Sequence, residues 1–255
     1  ASAEAIDPEI YVMDEPSANL DIASTYRFAD IIHDLKKKGK TIIIAEHRLY
    51  YLMDLADRFL CVQKGKIVRE FTAQQMKALT NKEIQALGLR TPNLHQIEQT
   101  EIPSAATSEV VLEVKKLNHS FGETIVSKDI DFQCHKGEAI ALIGPNGTGK
   151  STIGRILAGL LKEKSGEVVL FGKHCRPKGR LGKVWYIPQD LDSQLFGEDL
   201  LDELTTGAEV NPERKQAAEE ILEALELTPF IKQHPSTLSG GQKQRLALGV
   251  ALMHE

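Results

Sequence analysis

The chain has 255 residues, of which 26% are charged and 42% hydrophobic, and a net charge of −5. That balance suits a soluble globular protein of one large or two small domains and supplies no basic excess for a nucleic-acid partner. The longest apolar runs are of strand length, short of the ~20 residues that cross a bilayer. Cys61, Cys134 and Cys175 fit neither a zinc spacing nor a disulfide framework, which favours a reducing compartment.

In chain order, Ile10-Tyr11-Val12-Met13 reads as a buried strand that leads straight into Asp14 and Glu15. Asp21 is placed to N-cap a helix over 22–38, with Tyr26, Ala29, Ile32 and Leu35 on one side. Lys36, Lys37 and Lys38 fall in its last turn, where cations suit the helix dipole, and Gly39 follows as a stop. Thr41 to Ala45 is a second, β-branched strand ending at Glu46-His47, followed by a short helix near 49–56 and a hairpin from Arg58 to Glu70 that turns at Lys64-Gly65. Residues 91–109 are rich in Thr, Pro, Ser and Glu without an aromatic, and read as a flexible linker. Beyond it, VVLEVKKLNHSF alternates like an antiparallel strand, EAIALIG is a continuous apolar strand opening into a loop and a helix from Lys150, and VWYIPQ is a further strand. A helix over 212–227 has Pro212 near its start and Ile221, Leu222 and Leu225 on one side. Buried strands alternating with helices predict an α/β fold with a largely parallel sheet.

One segment carries explicit chemistry. GPNGTGKST places Gly144, Gly149, Lys150 and Ser151 at the spacing of a phosphate-binding loop between a predicted strand and a predicted helix. Glycines such as Gly144, Gly147 and Gly149 let the backbone curl so that N–H groups converge on phosphate oxygens, and the following helix directs its positive end at the same anion. Lys150 neutralises the β- and γ-phosphates, and the Ser151 hydroxyl suits a Mg²⁺ ion. Such a loop needs acids on a neighbouring strand: Asp14 to hold Mg²⁺ through water and Glu15 to polarise an attacking water. Alone, a strand-end Asp-Glu pair reads more readily as the charge pair at a helix start.

Five further stretches resemble the ATP-binding domains of ABC transporters. LSGGQKQR (238–245) is similar to the ABC signature, DEPSANLD (14–21) to the end of Walker B with the D-loop, His47 in IIIAEHRL to the switch histidine, Gln189 in IPQD to the Q-loop glutamine, and Phe121 in SFG to the aromatic that stacks on adenine, usually a Tyr. The resemblance implies a P-loop NTPase fold of ABC type: a mainly parallel sheet flanked by helices, with an antiparallel β-subdomain and a helical subdomain. It implies ATP and Mg²⁺ as ligands. Gly144 to Thr152, with Asn146 among them, would bind the triphosphate, Gln189 would sense Mg²⁺, Glu15 would be the catalytic base and His47 would contact the γ-phosphate. Ser239, Gly240 and Gly241 would cap the γ-phosphate of an ATP held by an opposing domain, a role that suits N–H groups at a helix start. Taken alone, His47 and the Ser-Gly-Gly run read as structural, and Phe121 as a core residue.

The order of these motifs departs from the family. Walker B, the D-loop and the switch histidine come before the phosphate loop, the Q-loop and the signature. Ala3 to Asp7 and ALMHE (251–255) resemble one and the same stretch of the family's domain, so the chain spans about one period of a repeat. The simplest expectation is residues 1–90 as the back half of one ABC domain, 91–109 as a linker and 110–255 as the front half of the next. The alternative is one circularly permuted domain in which Asp14 and Glu15 lie beside Lys150. QDLDSQLFGEDLLDEL resembles energy-coupling-factor importers of vitamins or metal ions. That implies a second ABC domain, in cis or in trans, and transmembrane subunits as partners, no nucleic acid, and a place on the cytoplasmic face of the membrane. A soluble twin-ABC ATPase acting on ribosomes or nucleic acid, and a non-hydrolysing scaffold, are the competing readings.

Overall fold

The computed structural model describes residues 7–90, 106–207 and 211–254. Most of the expected linker and the N-terminal stretch from Ala3 to Ile6 lie outside them, as does Glu255. The chain divides into two compact units, one of Ala1–Pro103 with Ile143–Gly147, the other of Ser104–Leu142 with Thr148–Glu255.

In the first unit, β1 (Ile10–Asp14) and β2 (Thr41–Ala45) pair in parallel, from Ile10 opposite Thr41 to Asp14 opposite Ala45. They are joined through α1 (Ile22–Lys37), which Asp21 caps by accepting the Ser24 N–H at 2.8 Å. The helix buries Thr25, Ile32 and Leu35, whereas Tyr26 is exposed. Thr25 turns inward because its hydroxyl bonds the Asp21 carbonyl at 2.9 Å. The strand at 10–13 is not buried as expected: its residues alternate between exposed and half-buried, and Val12 is 74% exposed. Residues 49–56 form successive turns rather than a helix (Leu52 N–H to Leu49 O, Leu55 N–H to Leu52 O). Tyr51, Leu52 and Met53 are buried in succession, which leaves no polar face for an amphipathic helix.

β3 (Arg58–Gln63) and β4 (Lys66–Thr72) form the expected hairpin. Lys64 and Gly65 both have positive φ, +48° and +74°, as a two-residue turn of type I′ requires. Two short helices follow, α2 (Ala73–Ala78) and α3 (Asn81–Ala86), each opened by a capping box, Thr72 with Gln75 and Thr80 with Glu83. Leu49, Met53, Cys61, Phe71 and Met76 form the core beneath the hairpin.

The second unit has a four-stranded antiparallel sheet and a helical layer. β5 (Val110–Phe121), β6 (Thr124–His135), β7 (Ser165–Leu170) and β8 (Lys173–His174) lie in the order β6-β5-β7-β8. Ile156 of α4 (Lys150–Leu157) packs with Val114, Leu117 and Val168 of that sheet. A short helix, α5 (Pro177–Arg180), follows the sheet. α6 (Leu200–Thr205), α7 (Pro212–Ala224) and α8 (Gly240–Leu252) enclose a separate core of Leu200, Leu204, Ala218, Leu222 and Leu246. Gly249 permits the approach of α8 to α7, since a Cβ there would stand 3.0 Å from Leu225.

Two expected strands are absent: residues 138–144 and 184–189 have no regular structure. Their apolar side chains stay largely open, with Ile143 89% and Trp185 47% exposed. An apolar run supplies the side chains of a buried parallel strand but not its ladder partners, and among the described residues β1 and β2 make the only parallel pair. The fold is therefore mixed α/β, with parallel and antiparallel sheet regions flanked by helices.

Candidate functional site

The acids Asp14 and Glu15 stand where β1 ends. Asp14 is the last paired residue of the strand, opposite Ala45, and is exposed. Glu15 adopts φ +41°, a left-handed conformation that is uncommon outside glycine and costs backbone energy. Its N–H still reaches the Ala45 carbonyl at 2.9 Å, and its own carbonyl accepts from Ala18 N–H at 3.0 Å. The turn breaks the alternation of the strand and sets the carboxylate beside His47, with Oε1 3.4 Å from Nδ1. Glu15 and His47 are thus brought together, both partly exposed.

Behind that pair lies a carboxylate that sequence reading passed over. Glu46 has a fully buried side chain. Its Oε2 accepts from Ser17 Oγ at 2.5 Å and Tyr51 OH at 3.1 Å, and its Oε1 accepts from the backbone N–H groups of His47 at 2.9 Å and Arg48 at 3.0 Å. Burial pushes its carboxyl upward, but these hydrogen bonds outweigh burial and hold it below the usual carboxylate range. Burial and the Glu46 charge push the Tyr51 hydroxyl well above its ordinary value. Arg48 adds two bonds across the same gap, from its guanidinium to the carbonyls of Ser17 at 2.9 Å and Ala18 at 3.1 Å. The only signal in the sequence was a charged residue closing an apolar strand, and its main partner is 29 positions away.

The opening of the phosphate loop belongs to the same unit. Asn146 donates its backbone N–H to Asp21 Oδ2 at 3.1 Å and its side-chain amide to the Asn19 carbonyl at 2.8 Å. Asp21 accordingly serves two groups, the start of α1 and the loop. Hydrogen bonds from Ser24, then from Asn146, lower its pKa to about 2. Gly144 and Gly147 have positive φ, 153° and 79°.

In the second unit the loop runs into α4. Gly149 is the N-cap residue at φ +91° and has no side chain with which to cap the helix. A Cβ at Gly149 would stand 2.7 Å from Val126 Cγ1, so the curl needs glycine on steric as well as conformational grounds. Lys150 and Ser151 are the first residues of the helix and Thr152 follows. A helix start that opens with a left-handed glycine, a lysine and a serine has the chemistry to suit a nucleotide phosphate with its cation. Among the described residues no group of three His, Cys, Asp or Glu side chains could hold a metal by itself. A Mg²⁺ ion carried in on nucleotide phosphates needs only one or two protein ligands.

The remaining expected residues are also in this unit. Phe121 ends β5, is 54% exposed, and meets His119 edge-on at 4.8 Å, so it is no core residue. Gln189 is exposed and follows Pro188 outside regular structure. Ser239 caps α8 in a capping box with Gln242, and Gly240 and Gly241 occupy its first turn with open space where a Cβ would lie. A cleft of about 920 Å³ between Lys115, Asn118, Asp129 and Glu167 touches none of these residues.

Comparison with known proteins places the chain. The ABC transporter family model matches residues 127–255. A provisionally named ABC transporter ATP-binding protein of Treponema denticola is 38% identical over 99% of this chain and 52% of its own length. The provisionally named HMP/thiamine import ATP-binding protein YkoD of Bacillus subtilis is 29% identical over 98% of this chain and 51% of its own. Among solved structures, cbiO1 of Clostridium perfringens, described as part of the ABC transporter complex cbiONQ, aligns over 57% of this chain and 62% of its own. It does so with 26% identity and a TM-score of 0.50. The chain spans about half the length of the relatives it matches.

Proposed function

The chain belongs to the ABC transporter family, and we propose that it is an ATP-binding and ATP-hydrolysing part of an importer of energy-coupling-factor type. The start of α4 carries this reading: Gly149, left-handed and pressed against Val126, opens directly into Lys150 and Ser151. Similarity to a protein named for HMP/thiamine import and to a cbiONQ component supports the importer class.

In this reading Gly144 to Thr152 hold the triphosphate of ATP and Phe121 stacks on the base. Ser151 and Gln189 hold the Mg²⁺ that comes with this nucleotide, and Asp14, through water, the Mg²⁺ of the nucleotide at its own domain; the ion supplies positive charge against the phosphates. Glu15 accepts the proton of the attacking water, and its closeness to His47 Nδ1 supports a joint role. His47 contacts the γ-phosphate of the nucleotide that Glu15 serves. Ser239, Gly240 and Gly241 cap the γ-phosphate of an ATP on an opposing ABC domain. Residues 1–90 and 110–255 are read as the back and front halves of successive domains joined by 91–109. Among the described residues no helix is long and apolar enough to cross a membrane. The work of ATP is passed to transmembrane subunits through the region around Gln189, at the cytoplasmic face of the membrane.

The test is ATP binding and turnover by the full-length protein. Glu15→Gln is expected to retain ATP and to lower turnover by roughly a hundredfold or more, and Lys150→Ala to weaken binding at its site. Normal turnover by E15Q would remove the base assignment. Copurification with membrane subunits is expected, and with ribosomes instead would overturn the importer class.

A further inference from the structure

We propose that Glu46 is a positioning residue for hydrolysis: a buried latch that fixes the turn carrying Glu15 to the turn carrying His47. The inference rests on the ATPase reading and assigns a role to a residue outside the motifs that support it. One carboxylate oxygen binds the backbone N–H groups of His47 and Arg48, so it sets the turn in which His47 sits. The other reaches Ser17 Oγ, two residues beyond Glu15, at 2.5 Å. A local turn cap would use only the first oxygen. The second oxygen and the Arg48 guanidinium, on the carbonyls of Ser17 and Ala18, cross to the other turn.

The geometry explains why a charged group is placed here. Ser17 is fully buried, and so is the Glu46 side chain. A carboxylate with four donors around it is satisfied in that setting, and hydrogen bonds to a charged acceptor are stronger than neutral ones. Glu15 holds a left-handed backbone that a free turn would relax. It is tied by its own N–H to the Ala45 carbonyl at the end of β2 and, two residues on, by Ser17 to Glu46. His47 Nδ1 lies 3.4 Å from Glu15 and 3.5 Å from Glu46, so one residue holds both the base and the imidazole in register. Small misplacements of such groups lower rates steeply while leaving ground-state binding almost unchanged.

The experiment uses Glu46→Gln, Ser17→Ala, Ser17→Thr and the S17A/E46Q pair in the full-length ATPase, with amide exchange repeated on the present chain. E46Q is expected to lower kcat by roughly tenfold with KM for ATP changed less than about twofold. S17A is expected to fall the same way, S17T to keep the hydroxyl and the rate, and the pair to be no slower than E46Q alone. The Ala18 and Leu20 amides, bonded within this turn to Glu15 and Ser17, are expected to exchange faster in E46Q. E46Q turning over within twofold of wild type while E15Q is inactive would overturn the latch and leave the ATPase reading standing. A loss of kcat that only tracks a loss of thermal stability across the variants would also overturn it. If the wild type hydrolyses no ATP, the functional reading falls. The latch is then decided by exchange alone, where unchanged protection in E46Q overturns it.

Discussion

Asp21 shows how one side chain can hold two distant stretches of chain. Its carboxylate caps α1 and accepts from the phosphate-loop residue Asn146, and its pKa falls from the ordinary 3.8 to about 2. A depressed carboxylate stabilises the fold fully at pH above its unfolded value and loses that contribution as pH falls through the folded one. The difference in urea midpoint between wild type and Asp21→Ala is therefore expected to be constant above about pH 5 and to shrink toward pH 2. Arg180 poses the opposite case. It is fully buried and bonded to Glu163 at 2.6 Å, while its Nε and Nη1 have no partner. Arg180→Met leaves Glu163 buried and uncompensated, at an expected cost of about 3 kcal/mol in urea unfolding. Adding Glu163→Leu to Arg180→Met is expected to recover most of that loss, because the pair's own desolvation disappears with it. Neither role was legible in the sequence. Asp21 was readable as a helix cap, but Asn146 is 125 positions away, and a buried Arg-Glu pair leaves no periodic signature.

Among the elements, legibility followed the locality of the signal. The hairpin of β3 and β4 was readable because Lys64-Gly65 alone specifies its turn, and α1 because its cap and stop lie within its own sequence. The helices α2 and α3 were missed although Thr72-Gln75 and Thr80-Glu83 announce them, since six residues are too few to show a period. The stretches 138–144 and 184–189 were overread: hydrophobicity records a tendency to be buried, and a parallel strand also needs neighbours supplied by distant chain. The curl before α4 was readable because Gly149 is required locally. Gly149→Ala makes that requirement testable. The new Cβ would press on Val126 of β6 at 2.7 Å and would have to adopt φ +91°. The loop must move, so affinity for a fluorescent ATP analogue is expected to drop by roughly tenfold or more, with the far-UV helical signal retained.

At the scale of the whole molecule the issue is whether Asp14 and Glu15 serve the same nucleotide as Lys150. The first acids lie in one compact unit and Lys150 in the other. The parallel pair β1 and β2 leaves Ile10, Val12 and Ile43 more than half exposed, whereas strands of this kind are covered on both faces in α/β proteins. The relatives are about twice as long as this chain. The reading of residues 1–90 and 110–255 as halves of successive domains makes a quantitative demand on the full-length protein. Lys150 and Glu15 would then act at different sites, so Lys150→Ala should abolish one of two nucleotide sites and leave the other loaded. E15Q should fill both and trap ATP at one. The double variant should turn over more slowly than either single one, because each substitution disables a different site. One permuted site predicts the reverse: a single nucleotide bound by the wild type, none by K150A, and a double variant no slower than the worse single one. Equilibrium dialysis with labelled ATP, together with single-turnover rates for the four proteins, separates the two outcomes.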